Sequence, residues 1–507
     1  MRYSRHKEDY EPVVRSRRGS SQRSEAVSAE VDNWLPRAVG SAGDDDNLSQ
    51  AEQIPLAPNV SDAPKRAKPA LRRGHALSYA GLFLFTLILY FRPYELFTSL
   101  SSFSSLAYWS AVATLAIYFP SQLALEGTLF SRPREVNLLL LFCLVALVGI
   151  PLASDRGEAL DTFIDFVKAV MMFIVMVNVV RTERRLKGLI FLALAISCVL
   201  SIGAIYDYRL GRFTTDELRI TGLVGGMFGN PNDMALHLVT MAPIAAALLL
   251  MTRNPLLKLF YGACVLLFLA GNVVTFSRGG FLGLIGAMGV LAWKMGRRRR
   301  VAIIVISLVL MAGFLAVAPS QLTSRFGGED QAASGSASQR QQLLFRSILV
   351  SLRHPVLGVG MGNFHTYSIG EQVSHNAYTQ VSAELGLAAM ALYILFMVAS
   401  LKRLRRIERE TYPTRRDSRL FYLAVGLQAS LIGFMISSFF ASVAYQWYIY
   451  YLVGYAICLH SIYEAGKERV GEVEVVASAE VIGQKERERR RTLGFKDTEG
   501  GPQPVNG

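Results

Sequence analysis

Arginine and histidine side chains that could bind an anion and move a proton lie in polar stretches between apolar runs. Arg278 lies in SRGG, Arg340 and Arg346 lie in RQQLLFRSILVSL, and His375 lies in SHNAY, directly before another apolar run. A guanidinium group offers a planar fork of N–H donors that fits phosphate oxygens. An imidazole can take a proton from a hydroxyl near neutral pH. These residue types indicate a site that binds a phosphate group and activates a hydroxyl.

Each of these residues also has a plain structural interpretation. Arg278 could be a helix-end arginine that extends to the membrane surface, because a charge at membrane depth costs about 2.5–3.5 kcal/mol. Arg340 lies in the first turn of a predicted helix, where a positive charge opposes the helix dipole, so a bound anion accounts for it better. Arg346 is equally well explained as a solvated side chain. A lone histidine is more often structural, but the position of His375 beside several arginines favours proton transfer.

A second polar segment, Arg219–Ala235, reads RITGLVGGMFGNPNDMA. Asn at an N-cap and Pro in the first turn predict that a helix begins here. Free backbone N–H groups at a helix start also favour an anion, so both interpretations stay open. The supporting residues of the predicted site are Arg219, Asn230, Asn232, Ser277, Asn376 and Tyr378.

Two other kinds of site are not supported by the sequence. The segment GVGMGN at 358–363 is similar to a dinucleotide-binding loop, but it lacks the strand–helix–strand unit and the following acid, so it predicts a compact turn. The polar segments on the predicted periplasmic face contain no DxD, HExxH or carboxylate cluster, and the four cysteines are scattered through apolar runs. We therefore expect no metal and no cofactor. A transferase with a diphosphate leaving group would then depend on fixed cations, and arginines are present.

The elements that must position these residues are apolar runs. The chain has 507 residues, 51% hydrophobic and 18% charged, which indicates an all-α polytopic membrane protein. The candidate spans, each close to the length that crosses a bilayer, number about twelve: 77–95, 104–124, 136–153, 160–180, 186–206, 233–251, 256–275, 280–295, 301–318, 378–400, 420–441 and 445–463. The net charge of +14 comes from clusters beside these runs, so a nucleic-acid partner is not expected.

Short basic connectors predict the orientation, because such connectors face the cytoplasm. Residues 1–75 are expected to form a disordered, basic cytoplasmic tail, and residues 464–507 a charged cytoplasmic tail with a short helix near 472–480. Residues 76–463 form the predicted transmembrane domain. Its long loop, 319–377, is predicted to be periplasmic and partly helical, with an amphipathic helix along the membrane surface. The arginine clusters of the tails could contact anionic membrane lipids.

Taken together, GNPNDMA, SRGG, the paired arginines of the loop helix, HPVLGVGMGNF and HNAYTQVSAELGL resemble the O-antigen ligase and Wzy-type polysaccharide polymerase superfamily of bacterial envelope glycosyltransferases. The resemblance implies a bundle in the bacterial inner membrane that works from its periplasmic face. It implies transfer of a glycan from a polyprenyl-diphosphate carrier to an acceptor hydroxyl, without a metal. It further implies that His375 is the general base or positions the acceptor. Arg278 and Arg340 would bind the diphosphate, with Arg346 the alternative to Arg340.

The acceptor is not encoded in these motifs. It could be a glycan, a lipid or a protein, and we favour a ligase or polymerase for surface polysaccharide such as O-antigen, exopolysaccharide or capsule. The alternative is a transporter or flippase of lipid-linked glycans, and a structural scaffold for envelope assembly is a third interpretation.

Overall fold

The computed structural model describes residues 74–96, 98–103, 105–213, 220–222, 224–295, 300–301, 304, 331–415 and 418–492. Throughout these ranges the regular elements are helices, and no strand occurs. The long helices are α1 Ala76–Phe91, α2 Leu106–Glu126, α3 Arg134–Gly149, α4 Arg156–Val179, α5 Glu183–Arg209, α6 Pro231–Met251, α7 Pro255–Val274, α8 Arg278–Lys294, α9 Gln331–Arg353, α10 Ala377–Thr411, α11 Arg419–Ser437 and α12 Trp447–Thr492. Short helical segments are Pro93–Leu96, Thr98–Phe103, Ile150–Leu152, Gly225–Phe228, Phe364–Tyr367, Ile369–Glu371 and Ser438–Phe440.

Eight helices in the described ranges are long and apolar enough to cross a membrane, namely α1, α3, α4, α5, α6, α7, α10 and α11. This confirms the prediction of an all-α polytopic membrane protein. Helices α2, α8 and α12 form where spans are predicted but are not among the eight. The predicted span 301–318 lies almost entirely outside the described residues. The count of twelve, the side that each loop faces and the domain boundaries stay predictions.

The helices begin at polar residues whose side chains accept hydrogen bonds from the first turn, as N-caps do. Asp155 Oδ1 accepts from Glu158 N at 3.1 Å before α4. Asn254 Oδ1 accepts from Leu256 N at 2.9 Å before α7. Apolar runs follow each cap, so the boundaries of the helices follow from local sequence.

Helix α9 begins at Gln331, so Arg340 lies in its interior and the prediction that Arg340 occupies the first turn is wrong. The inner face of the helix also differs from the predicted one. The predicted apolar face includes Leu343, which is buried, but also Ile348 and Leu352, which are exposed. The residues that pack inward with Leu343 include Ser347 and Val350. Serine hydroxyls are buried here because they bond to the helix backbone and to a neighbouring helix, which hydropathy patterns do not register.

Helix α10 is broken near its start, at Gly386, where φ is 87° and ψ is 173°. The loop that follows α9 fills the break: Val359 N donates to Ala383 O at 3.0 Å, and Gly360 N donates to Glu384 O at 2.9 Å. The sequence predicts a compact turn at 358–363, and the structure shows that this turn supplies the hydrogen bonds that the broken helix lacks.

Helix α12 continues without a break from Trp447 to Thr492, so it includes the segment for which the sequence predicts only a short helix near 472–480. Its middle is tied to the end of α10, because Glu410 Oε2 accepts from Tyr463 Oη at 2.7 Å and from Lys467 Nζ at 2.8 Å.

Candidate active site

The starts of α6 and α8 are joined by a hydrogen bond between predicted supporting residues. Asn230 caps α6 by accepting from Asn232 N at 2.9 Å. Ser277 caps α8 by accepting from Gly280 N at 3.2 Å. The Ser277 hydroxyl also donates to Asn232 Oδ1 at 2.8 Å, and both side chains are buried. The structural interpretation of the NPND segment, a helix start, is therefore confirmed, whereas anion binding there is untested.

The two glycines of SRGG allow the start of α8 to pack closely against its neighbours. A Cβ atom on Gly279 would lie 2.5 Å from Phe440 Cβ, and one on Gly280 would lie 2.5 Å from Ala235 Cβ. No side chain fits at either position, because real Cβ atoms do not approach so closely. The first residue of α8, Arg278, is exposed while its neighbours are buried.

The start of α10 is built from three more residues of the predicted site. Asn376 Oδ1 accepts from Tyr378 N at 2.9 Å and from Thr379 N at 3.1 Å, which makes Asn376 the N-cap. The Tyr378 hydroxyl donates to Met435 O at 2.8 Å, near the end of α11. Asn376 and Tyr378 therefore hold the helix start in place, next to His375.

His375 has a left-handed backbone conformation, with φ of 52°, which is uncommon for a residue other than glycine. Its backbone N–H donates to Ser442 Oγ at 2.8 Å. The next residue is also tied down, because Ser374 Oγ donates to Asn376 O at 2.8 Å. Strained backbone that the surrounding structure enforces is frequent at active sites. His375 is half-buried, so its ring has limited access to solvent.

The end of α11 and the residues after it contact the starts of α8 and α10, and the start of α8 is itself bonded to that of α6. Ser437 Oγ donates to Gly279 O at 3.2 Å, which joins α11 to α8. Met435 O accepts from Tyr378, which joins α11 to α10. The segment 435–442 thus contacts the start of α8, the start of α10 and the backbone of His375. The starts of α6, α8 and α10 therefore lie at the same end of the bundle, called here the His375 end.

Three helix starts at one place have an electrostatic consequence. The first N–H groups of a helix carry a partial positive charge, and a long helix adds its dipole. Asn230, Ser277 and Asn376 use only some of these N–H groups. Arg278 adds a full positive charge at one of the starts. This arrangement favours an anion with several oxygens, such as a diphosphate.

Helix α9 approaches the same region, since it packs on the first turns of α10. The Ser351 and Ser382 Oγ atoms lie 2.8 Å apart. Further along both segments, Leu387 N donates to Pro355 O at 2.8 Å. The order of these contacts means that the end of α9 runs in the same direction as the start of α10. Arg340, which is half-buried, lies earlier in α9, on the side toward the start of α10.

Arg346 has a more specific position than the sequence suggests. Its Nε donates to Tyr367 O at 2.7 Å, although the side chain is exposed. Arg346 thereby ties α9 to the short helix Phe364–Tyr367. This hydrogen bond gives Arg346 a structural role, which differs from both sequence-based interpretations, a solvated side chain and a diphosphate ligand.

Several residues near the site are not identified by sequence reasoning. Ser442, which holds the His375 backbone, lies in the plain segment ASVAYQ, where no motif marks it. Arg92 has φ of 41° and pairs with Glu95 at 2.6 Å. Arg92 and Asp233, which lies at the start of α6, are both close enough to Tyr448 to interact with it electrostatically. Arg92 lies inside the predicted span 77–95, near its predicted periplasmic end, and an arginine there departs from the positive-inside pattern, which is a signal that could have found it.

Glu384 is a buried acid just before the break in α10. Its Oε2 accepts from Gly362 N at 3.1 Å, and its carboxylate lies beside the Tyr445 hydroxyl. Tyr445 belongs to the same connector as Ser442. Glu384 therefore links the glycine-rich loop to the connector that holds His375.

Arg219 lies outside the described residues, so its position relative to the site stays a prediction. In the described part of the chain, no group of three or more His, Cys, Asp or Glu side chains could hold a metal ion. Residues 262–394 match the family model described as O-antigen ligase, a range that includes Arg278, Arg340 and His375. The search of curated proteins finds no match to this chain.

Proposed function

We propose, from the match of residues 262–394 to the O-antigen ligase family model, that the chain is a membrane glycosyltransferase that moves a glycan from a polyprenyl-diphosphate carrier to an acceptor hydroxyl. The product is surface polysaccharide: O-antigen, exopolysaccharide or capsule. The enzyme lies in the bacterial inner membrane with its site on the periplasmic face. The reaction uses no metal, because arginines supply the positive charge.

The diphosphate binds at the His375 end of the bundle. Arg278 contacts it from the start of α8, and Arg340 contacts it from α9. Arg346 is the weaker candidate, because its Nε already donates to Tyr367 O. Asn232 and Ser277 act indirectly, since their mutual hydrogen bond sets the position of Arg278 relative to α6. The prenyl chain lies among the apolar helices, which bury its length in the membrane.

The transfer step requires one proton acceptor and one stabilised leaving group. The acceptor hydroxyl oxygen forms a bond to the anomeric carbon of the glycan, and the bond from that carbon to the diphosphate oxygen breaks. The hydroxyl proton passes to the His375 imidazole, and the electron pair leaves with the polyprenyl diphosphate. The guanidinium groups stabilise the negative charge that develops on the leaving diphosphate. Later loss of the proton from His375 to water restores the enzyme.

One observation carries this proposal: the segment 435–442 hydrogen-bonds to the starts of both α8 and α10, at Gly279 next to Arg278 and at the backbone of His375. These shared contacts support assigning the two residues, which are far apart in the sequence, to one site, and the reaction needs both a cation and a proton acceptor. A transporter of the same lipid would need the cation but not a constrained histidine. The strained conformation of His375 therefore favours transfer over transport.

The test uses the full chain reconstituted in liposomes with a labelled polyprenyl-diphosphate glycan, a candidate acceptor and a chelator of divalent metals. We expect release of polyprenyl diphosphate and a labelled acceptor. His375→Ala should abolish both without lowering the yield of folded protein, because the backbone N–H that Ser442 binds is retained. His354→Ala is the matched control, since this exposed histidine lies in the same loop.

The outcomes separate the alternatives. Translocation of the lipid without bond cleavage would assign the protein as a transporter. Full transfer by His375→Ala would remove His375 from the mechanism. Which acceptor is used can be read from the envelope glycan that disappears when the gene is deleted.

A further inference from the structure

A cavity of about 590 Å³ lies at the end of the bundle opposite His375. Helix α7 runs from this cavity, at Asn254, to the neighbourhood of Arg278, so the length of a membrane-spanning helix separates the two places. Ligand pockets in proteins commonly have volumes of roughly 300–1,000 Å³. The cavity is therefore large enough for an organic ligand and is independent of the proposed catalytic site.

The lining of the cavity is positively charged. Lys187 of α5, Arg253 of the α6–α7 connector and Arg419 at the start of α11 contribute from three parts of the chain. None of the described residues that line it is acidic. Lys187 is partly neutralised, because it pairs with Glu183 at 2.5 Å outside the lining. Arg253 and Arg419 are exposed and add two further basic side chains to the lining.

The positions of these two arginines make a bound anion more favourable. Arg419 is the first residue of α11, and Arg253 directly precedes Asn254, the N-cap of α7. A cation at a helix start is unfavourable, because it adds to the positive end of the helix dipole. An anion in the cavity would relieve this repulsion for both helices. The positive-inside rule accounts for basic residues near this membrane surface, because they orient the protein, but it does not account for their position around a cavity.

The rest of the lining is amphipathic. Tyr261 and Tyr422 supply hydroxyl groups, and Leu248 and Leu257 supply apolar surface. On the outer side of α7, Leu259 is 73% exposed, as expected for a side chain that contacts lipid. A ligand with a charged head and an apolar margin fits this combination better than a small, fully hydrated ion does.

We propose that this cavity binds a phosphate group, and that the group belongs to the head of an anionic phospholipid from the adjacent leaflet. Arg253 and Arg419 contact the phosphate oxygens, the tyrosine hydroxyls donate to the head group, and the acyl chains lie along α7. By the predicted orientation this leaflet is the cytoplasmic one, which carries the negative surface charge of the membrane.

The experiment measures binding of phosphatidylglycerol to the delipidated full chain in detergent by native mass spectrometry, with phosphatidylcholine as the zwitterionic comparison. We expect preferential binding of phosphatidylglycerol. Arg253→Gln and Arg419→Gln should each weaken it about fivefold, the effect of one basic residue near a membrane surface. Arg405→Gln is the matched control, because this exposed arginine lies at the same end of the bundle outside the cavity. The conservative variants Arg253→Lys and Arg419→Lys should retain most of the binding.

Excess inorganic phosphate distinguishes the two sources of the phosphate group. If it does not displace phosphatidylglycerol, the lipid assignment is supported. If it displaces the lipid at low concentration and binds alone with the same dependence on Arg419, the ligand is a soluble phosphate compound and the lipid assignment is wrong. Equal phosphatidylglycerol binding by the wild type, both Gln variants and Arg405→Gln, all with normal melting temperatures, would overturn the proposal.

Discussion

The break in α10 offers the sharpest test of how the site is positioned. Gly386 has φ of 87° and ψ of 173°, a region that only glycine adopts readily. A Cβ atom there would lie 2.5 Å from the carbonyl carbon of Val356 and 2.8 Å from Pro355 O. These are backbone atoms, and the loop that contains them is held by hydrogen bonds to Ala383 and Glu384. Gly386→Ala must therefore displace the loop or straighten the helix.

The expected cost has two parts. An alanine in this backbone region costs about 1–3 kcal/mol, and overlap with packed neighbours costs about 1–3 kcal/mol more. The sum, roughly 2–6 kcal/mol, is a large fraction of the stability of most proteins, which is about 5–15 kcal/mol. Gly370→Ala is the matched control: its φ is 68°, but nothing lies within 4 Å of the added Cβ. This control should lose only about 1–2 kcal/mol, the cost of a left-handed conformation.

The assay is thermal denaturation of the detergent-solubilised chain, followed by glycan transfer at a temperature where both variants are folded. We expect Gly386→Ala to melt well below Gly370→Ala. We also expect its transfer rate to fall, because the displaced segment carries the start of α10 and His375. If the two variants melt at the same temperature and transfer at the same rate, the loop does not position the helix and the reasoning is refuted.

Three further predictions follow from single contacts. Ser442→Ala leaves the N–H of His375 without its partner, which costs about 1–3 kcal/mol. Transfer by this variant should be slower than wild type at an unchanged KM for the donor, and Ser442→Thr should restore the rate. A wild-type kcat for the alanine variant would contradict this role of Ser442. Arg403→Gln removes the Nε that lies 2.5 Å from the Glu135 carboxylate, which is 1% exposed. The free energy of unfolding, measured by denaturation, should fall by about 3–5 kcal/mol, and the double variant that also carries Glu135→Gln should recover most of it. Burial is the main cause that lowers the pKa of His75, and the nearby positive charge of Arg181 is the second. Below about pH 6.5 the unfolded chain therefore binds more protons than the folded chain, so stability should fall as the pH drops through that value. The melting temperature of His75→Gln should depend less on pH, and an identical dependence would count against this cause.

Much of the architecture follows from short stretches of sequence. Asn230, Ser277 and Asn376 each precede an apolar run, and each caps the helix that begins there. Capping and apolar length depend on residues within one or two turns, so such patterns identify helix starts and membrane spans. Arg278 and His375 could likewise be selected from residue type and position alone.

What only the tertiary structure decided is how these local features meet. The hydrogen bond from Ser277 to Asn232, the support of His375 by Ser442, and the fit of the glycine-rich loop into the break at Gly386 all join segments far apart in the chain. The same holds for Arg253 and Arg419 around one cavity. Hydrophobic periodicity and capping describe each helix by itself, whereas these contacts depend on the packing of particular side-chain shapes, which a pattern of residue types does not contain.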